Sequence, residues 1–175
     1  EKDSKVHVSI KRNGSNELIK FTIKRDKIPI FSVDASYMID EKTGYIKLNS
    51  FSRTSTREMQ YAISKLKKEG MKKLILDLQD NGGGLLSAAQ DIADEFLSDD
   101  KLIVYSEGRS KPRSNLRAGK KGLWEKGELI ILVNEYTASA SEIVSGAVQD
   151  WDRGIIVGRR TFGKGLVQRP MRLLD

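Results

Sequence analysis

Three short apolar runs, separated by stretches of helix length, constrain this chain more than anything else in it. They are Lys73–Leu78, Leu129–Val133 and Gly154–Gly158. Each is short and bounded by turn residues, so each reads as a buried strand. After the first, Asn81–Gly84 turns the chain into a helix carrying Leu86, Ala89, Ala93, Phe96 and Leu97. After the second, Ala140, Ile143, Val144, Ala147, Val148 and Trp151 form one apolar stripe at helical spacing. Strand, helix, strand, helix, strand predicts an α/β core of largely parallel strands.

The residues upstream add antiparallel pieces. Val6–Lys11 and Ile19–Lys24 alternate with period two around Asn13-Gly14, which predicts an N-terminal β-hairpin. A lone hairpin is marginal in water, so these strands are expected to belong to a larger sheet. Ile28-Pro29-Ile30 marks a boundary. Tyr37–Ile39 and Tyr45–Leu48 flank a polar turn ending in Gly44 and predict a second hairpin. Ser55-Thr56-Arg57-Glu58 has the form of a capping box. Met59, Ala62, Ile63 and Leu66 then continue a helix that Gly70 closes. Leu102–Tyr105 reads as a further strand. The basic stretch after it, with Arg109, Lys111, Arg113, Arg117, Lys120, Lys121 and Lys126, reads as a mobile surface loop.

Composition narrows the chemistry. The 175 residues contain no cysteine and one histidine, His7. That excludes disulfides and thiolate zinc sites and argues against a catalytic zinc centre. No metal and no cofactor is expected. No apolar run reaches 18 residues, so no transmembrane helix is predicted. The chain begins at Glu1 rather than Met and reads as a trimmed piece without its targeting segment. The net charge of +7 raises nucleic-acid binding. The basic residues are spread out, with little aromatic interleaving beyond Trp124, and read instead as a solvated face. If the chain performs nucleophilic hydrolysis, a serine–lysine pair is the obvious remaining means.

Two segments offer that pair. Thr137-Ala138-Ser139-Ala140-Ser141-Glu142 places Ser139 at the mouth of an apolar helix, and Thr161-Phe162-Gly163-Lys164-Gly165 places Lys164 in a turn after a strand. Taken alone, Ser139 reads first as a helix N-cap, with Glu142 completing a capping box. The same place offers unpaired N–H groups and the positive end of a helix dipole, which suit an oxyanion. Ser141 competes as the nucleophile. Gly158-x-x-x-x-Gly163-Lys164 approaches a phosphate-binding loop, but Gly165 stands where Ser or Thr would hold magnesium. Lys164 as a general base must be neutral, which requires burial; as a surface lysine it requires nothing. In the extended stretch Leu166–Pro170, Gln168 projects to the same face as Lys164 and can orient its amine. Gly82–Gly84 is a weak dinucleotide fingerprint, a tight turn, or a donor loop facing the serine.

Together these residues resemble the C-terminal processing peptidases, the tail-specific proteases of serine peptidase family S41, from about Lys5 to Leu174. Gly44–Leu48, Leu76–Leu86 and the Ser139 and Lys164 segments carry the resemblance. The serine and lysine stand 25 residues apart, and Glu142, Gln149-Asp150 and Gln168 are in their family places. The resemblance implies a crotonase/ClpP-like α/β core. It implies Ser139 as nucleophile, Lys164 as general base and Gln168 as its orienting partner. It implies an oxyanion hole from the backbone N–H of Ala140 plus that of Gly83 or Gly82; the family often has proline where Gly82 stands. The implied activity is endoproteolysis of proteins or peptides selected by exposed C-termini, outside the cytoplasm, in the periplasm or cell envelope. Nucleic acid is not an expected partner. Residues 1–27 would be the last two strands of a PDZ domain. Residues 28–175 would be the peptidase core, continuing beyond Asp175 in the family. A binding module on the same scaffold is the rival, which retention of both Ser139 and Lys164 opposes.

Overall fold

The computed structural model describes residues 1–26 and 30–168. Two compact units divide the chain, Glu1–Ile30 and Phe31–Asp175. The boundary predicted at Ile28 and Pro29 lies outside the described residues.

The first unit is the predicted hairpin. β1 (Lys5–Lys11) and β2 (Leu18–Lys24) pair antiparallel, with Val6 opposite Ile23, Val8 opposite Phe21 and Ile10 opposite Ile19. Paired residues share a face, so these six apolar side chains line one side of the ribbon.

The second unit is built on a five-stranded sheet. Its order is β3 (Val33–Met38), β4 (Thr43–Leu48), β5 (Lys73–Asp77), β8 (Glu128–Val133), β9 (Ile155–Gly158). Only the β3–β4 pair is antiparallel; β4, β5, β8 and β9 run parallel. This is the predicted mixed α/β core, and the strands fall where the apolar runs lie. Burial alternates along them. Ile46 and Leu48 of β4, Leu74 and Leu76 of β5, and Leu129, Ile131 and Val133 of β8 are all buried on one face. Three helices supply the opposing apolar residues. Met59, Ala62, Ile63 and Leu66 come from α1 (Ser55–Lys68). Ala89, Ile92 and Ala93 come from α2 (Leu86–Asp94), and Val144, Ala147 and Val148 from α3 (Ala140–Asp150).

Two expectations are corrected here. The capping box at Ser55–Glu58 does not form: Thr54 occupies the N-cap position, and the Glu58 carboxylate accepts the N–H groups of Ser32 at 2.7 Å and Val33 at 2.9 Å. A carboxylate in the first turn is drawn to whichever donors lack partners, and those opening β3 are nearer. The basic stretch is not a loop throughout. β6 (Leu102–Gly108) and β7 (Lys111–Arg117) form an antiparallel hairpin. Alternation of charge with Pro112, Ser114 and Leu116 carries too little apolar signal to announce a strand.

Parallel strands put their C-terminal ends on one edge. The loops after β5, β8 and β9 therefore emerge side by side, and they carry Gly82–Gly84, Ser139 and Lys164 respectively. That edge is where open parallel sheets place their sites.

Candidate active site

The loop after β8 is locked to the loop after β5 through buried polar groups. Asn81, fully buried, is the hub. Its side-chain N–H donates to the Leu48 carbonyl at 2.7 Å, and its Oδ1 accepts the Gly83 N–H at 2.9 Å. Its carbonyl accepts the Ala138 N–H at 3.0 Å and the Ser141 hydroxyl at 2.9 Å. Thr137 is also fully buried, and its hydroxyl donates to the Leu78 carbonyl at 2.8 Å. Further back, Asp77 fixes the end of β5: its carboxylate accepts from the Tyr45 hydroxyl at 2.6 Å and from Lys47 Nζ at 3.2 Å. Burial and that adjoining carboxylate hold the Tyr45 phenol well above its usual range.

These bonds decide between the two serines. Ser141 is fully buried with its hydroxyl spent on Asn81. Ser139 is half-buried, and its Oγ meets the Glu142 N–H within the capping box of the helix it opens, not a buried carbonyl. Its backbone sits at φ 56°, ψ −114°. Non-glycine residues seldom adopt that conformation, at a cost of about 1–3 kcal/mol. The strain turns the chain sharply from strand loop into α3 and lifts the Ser139 side chain to the cleft.

Ser139 is the N-cap of α3, and its capping box with Glu142 forms as the spacing predicts. Glu142 Oε2 accepts the Ser139 N–H at 2.7 Å, while the Glu142 N–H donates to the Ser139 carbonyl at 2.9 Å. The same carboxylate reaches the lysine loop. It accepts the Lys164 N–H at 2.9 Å on Oε2, and the Gly163 N–H at 2.6 Å and Thr161 hydroxyl at 2.8 Å on Oε1. Burial raises the Glu142 carboxyl, but the Thr161 hydroxyl and the Lys164, Gly163 and Ser139 N–H groups outweigh it. They hold the group below the ordinary carboxylate range. One side chain thus ties the backbone of the candidate nucleophile to the backbone of the candidate base. The motif shows Glu142 as a capping residue; nothing in the sequence announces its second set of partners.

Ser139 and Lys164 border the same cleft, of about 370 Å³, with Gly84, Leu85, Leu86, Tyr105, Ile143, Leu166 and Gln168 among its walls. Lys164 is half-buried. Its Nζ makes a long contact, 3.5 Å, with Gln168 Oε1, as the extended spacing predicts. Nζ makes no hydrogen bond to Ser139 Oγ among the described residues. Leu166–Gln168 is extended without strand pairing, and the predicted Arg169 and Pro170 lie outside the described residues.

The candidate oxyanion donors differ. Ala140 opens α3, and its N–H has no acceptor among the described residues. Gly83 has φ +97°, and a methyl group there would stand 2.8 Å from the Ala140 nitrogen and 2.9 Å from Ser139 Cβ. Only glycine lets the two backbones approach this closely. Its N–H, however, is turned to Asn81. Gly82 has an unpartnered N–H, but Gly84 is the glycine of this turn that borders the cleft. No group of three or more His, Cys, Asp or Glu suited to a metal ion occurs among the described residues.

Residues 42–175 match the sequence profile of peptidase family S41. A carboxyl-terminal-processing protease of Synechocystis sp. is 38% identical over 99% of this chain and 41% of its own length. The carboxyl-terminal-processing peptidase 3 of Arabidopsis thaliana is 41% identical over 77% of this chain and 26% of its own. Among solved structures, a photosystem II D1 C-terminal processing protease superposes with a TM-score of 0.71 at 33% identity. That match covers 97% of this chain and 47% of the other. The chain therefore spans less than half the length of these relatives.

Proposed function

We propose the function from one premise: this chain belongs to peptidase family S41. On that footing the cleft at Ser139 is the active site of a serine endopeptidase, in which Ser139 is the nucleophile, Lys164 the general base and Gln168 the orienting partner of its amine. The observation that carries the reading is the cleft itself. A half-buried, strained serine and a half-buried lysine line it, and Glu142 binds both backbones.

The chemistry follows from those positions. Neutral Lys164 Nζ takes the Ser139 Oγ proton as Oγ attacks a peptide carbonyl carbon. The oxyanion that forms is met by the free Ala140 N–H at the positive end of α3, with the second donor from the Gly82–Gly84 turn. The ammonium then returns its proton to the leaving amine, and a water deprotonated by the same lysine hydrolyses the ester. The Nζ–Oγ hydrogen bond is made as substrate fills the cleft, since catalytic bonds commonly tighten only then.

The finer reading is also a proposal. The protein selects substrates by exposed C-terminal tails, works outside the cytoplasm, and carries in residues 1–27 the last strands of a PDZ domain. Support comes from the names of the relatives for the first, and from the hairpin alone for the last. The test is hydrolysis of an unfolded protein by wild type, Ser139→Ala and Lys164→Ala. Each substitution is expected to lower kcat/KM by about 10³-fold or more. Turnover within tenfold of wild type in either variant overturns the assignment.

A further inference from the structure

A second depression continues from the active-site cleft along the β6–β7 hairpin. It encloses about 700 Å³, and Tyr105, Gly165, Leu166 and Val167 border both. Its lining includes Lys111 and Glu107. The Arg113 guanidinium lies over the Tyr105 ring, 3.9 Å from the centroid. Arg109, Lys111 and Arg113 have no carboxylate within ion-pair distance among the described residues. Among the described residues, the polar partner of Arg113 is Asn115, whose Oδ1 accepts from Nε at 3.0 Å.

Three cations without counter-charges, set against one acid, are unusual on a two-stranded ribbon, where opposite charges stabilise each other across the pair. Stacking gives the arrangement a purpose. A guanidinium held over an aromatic ring has surrendered part of its rotamer freedom. Its remaining in-plane N–H groups stay open to a carboxylate. Tyr105 carries that guanidinium and lines both depressions, and Lys111 lines the outer one, so a peptide extending from Ser139 into it meets Lys111 and the ring on which Arg113 rests.

We propose that the β6–β7 groove is a substrate subsite for acidic side chains, which selects peptides with aspartate or glutamate a few residues from the scissile bond. The proposal rests on the reading of the Ser139 cleft as a peptide site. Continuity with that cleft and charge complementarity commit the groove to an acidic peptide rather than to another anion.

The test uses peptides with one Glu scanned through the positions flanking an apolar cleavage site, each paired with its Gln counterpart. Binding to Ser139→Ala protein is followed by fluorescence anisotropy and turnover by wild type. At one or two positions Glu is expected to bind about five- to tenfold tighter than Gln. This ratio should shrink as salt is raised. It should fall to near one in the Lys111→Gln/Arg113→Gln double variant and reverse toward Lys-containing peptides in Lys111→Glu/Arg113→Glu. A ratio below twofold at every position, or one that persists in the double variant, overturns the proposal. So does displacement of the peptide by a short oligonucleotide at lower concentration, which assigns the cations to nucleic acid. If Ser139→Ala still cleaves, the active-site assignment fails while the binding ratio still decides the groove.

Discussion

The loop that carries Ser139 and the loop that carries Lys164 leave neighbouring strands of one sheet, yet they are held by different means. The serine loop is fastened from inside. Asn81, Thr137 and Ser141 are all fully buried and bond one another's segments. The lysine loop lies on the surface. Phe162, Gly163 and Gly165–Gln168 are exposed, and Gly163 and Lys164 are anchored through their backbone N–H groups to the Glu142 carboxylate. Buried neutral bonds set position rigidly, because breaking one leaves an unsatisfied group. A single partly exposed carboxylate sets position less rigidly and makes it depend on charge. The loop of the candidate nucleophile is therefore fixed by the fold, and that of the candidate base by an ion.

Asn81→Leu should break the serine side most severely. It orphans the Leu48 carbonyl and the Gly83 N–H in a buried place, which costs about 2–4 kcal/mol of unfolding free energy. Chemical denaturation measures it, and a loss below about 1 kcal/mol would show that the hub is not what secures this loop.

Glu142→Gln acts on the lysine side. The amide offers one acceptor where the carboxylate offered two, and its N–H₂ faces N–H donors. A base displaced by this much should lower kcat by about 10- to 100-fold, with little change in KM. The same variant tests the ion. Glu142 is held below its ordinary range in the folded protein, so its stabilisation is present above the unfolded value near 4.3 and fades as pH falls through the lowered folded value. The stability gap between wild type and Glu142→Gln should close between about pH 5 and pH 3. A gap constant with pH would assign the clamp to shape rather than charge.

The smallest effect sharpens the strain at the elbow. Ser139→Gly should be more stable than Ser139→Ala by about 1 kcal/mol, because only glycine meets φ 56°, ψ −114° without cost. Equal thermal midpoints for the two variants would mean the elbow relaxes when the hydroxyl is removed.

The strands β5 and β8 were legible as apolar runs, and helices α1 and α3 as stripes, because burial of one face imposes its period on the sequence; β9 also falls on its apolar run, but Ile155 and Val157 are exposed there rather than buried as expected. β7 was not, since it exposes most of its side chains and no core demands alternation. The capping box at Ser55 failed for a related reason: a motif specifies what a carboxylate can bond, and the nearest unpaired donors belonged to β3. At the site, Ser139, Lys164 and Gln168 could be singled out from their spacing, and Ala140 from the family resemblance. Ser141 stayed a rival until its burial removed it. The oxyanion turn was named, but the direction of the Gly83 N–H was not, because it depends on a side chain two residues back that folds under the loop.

Local spacing alone determined the parallel α/β core, the serine at a helix mouth, the lysine after a strand and the glycines between them. Each depends on interactions within a few residues, and such interactions leave a readable pattern. Tertiary structure decided which serine is open, that Glu142 joins the two loops, and that the basic hairpin borders the cleft. Those facts depend on residues 20 to 60 positions apart meeting at one edge of the sheet. Only packing of the strands, whose order is not written locally, brings them together.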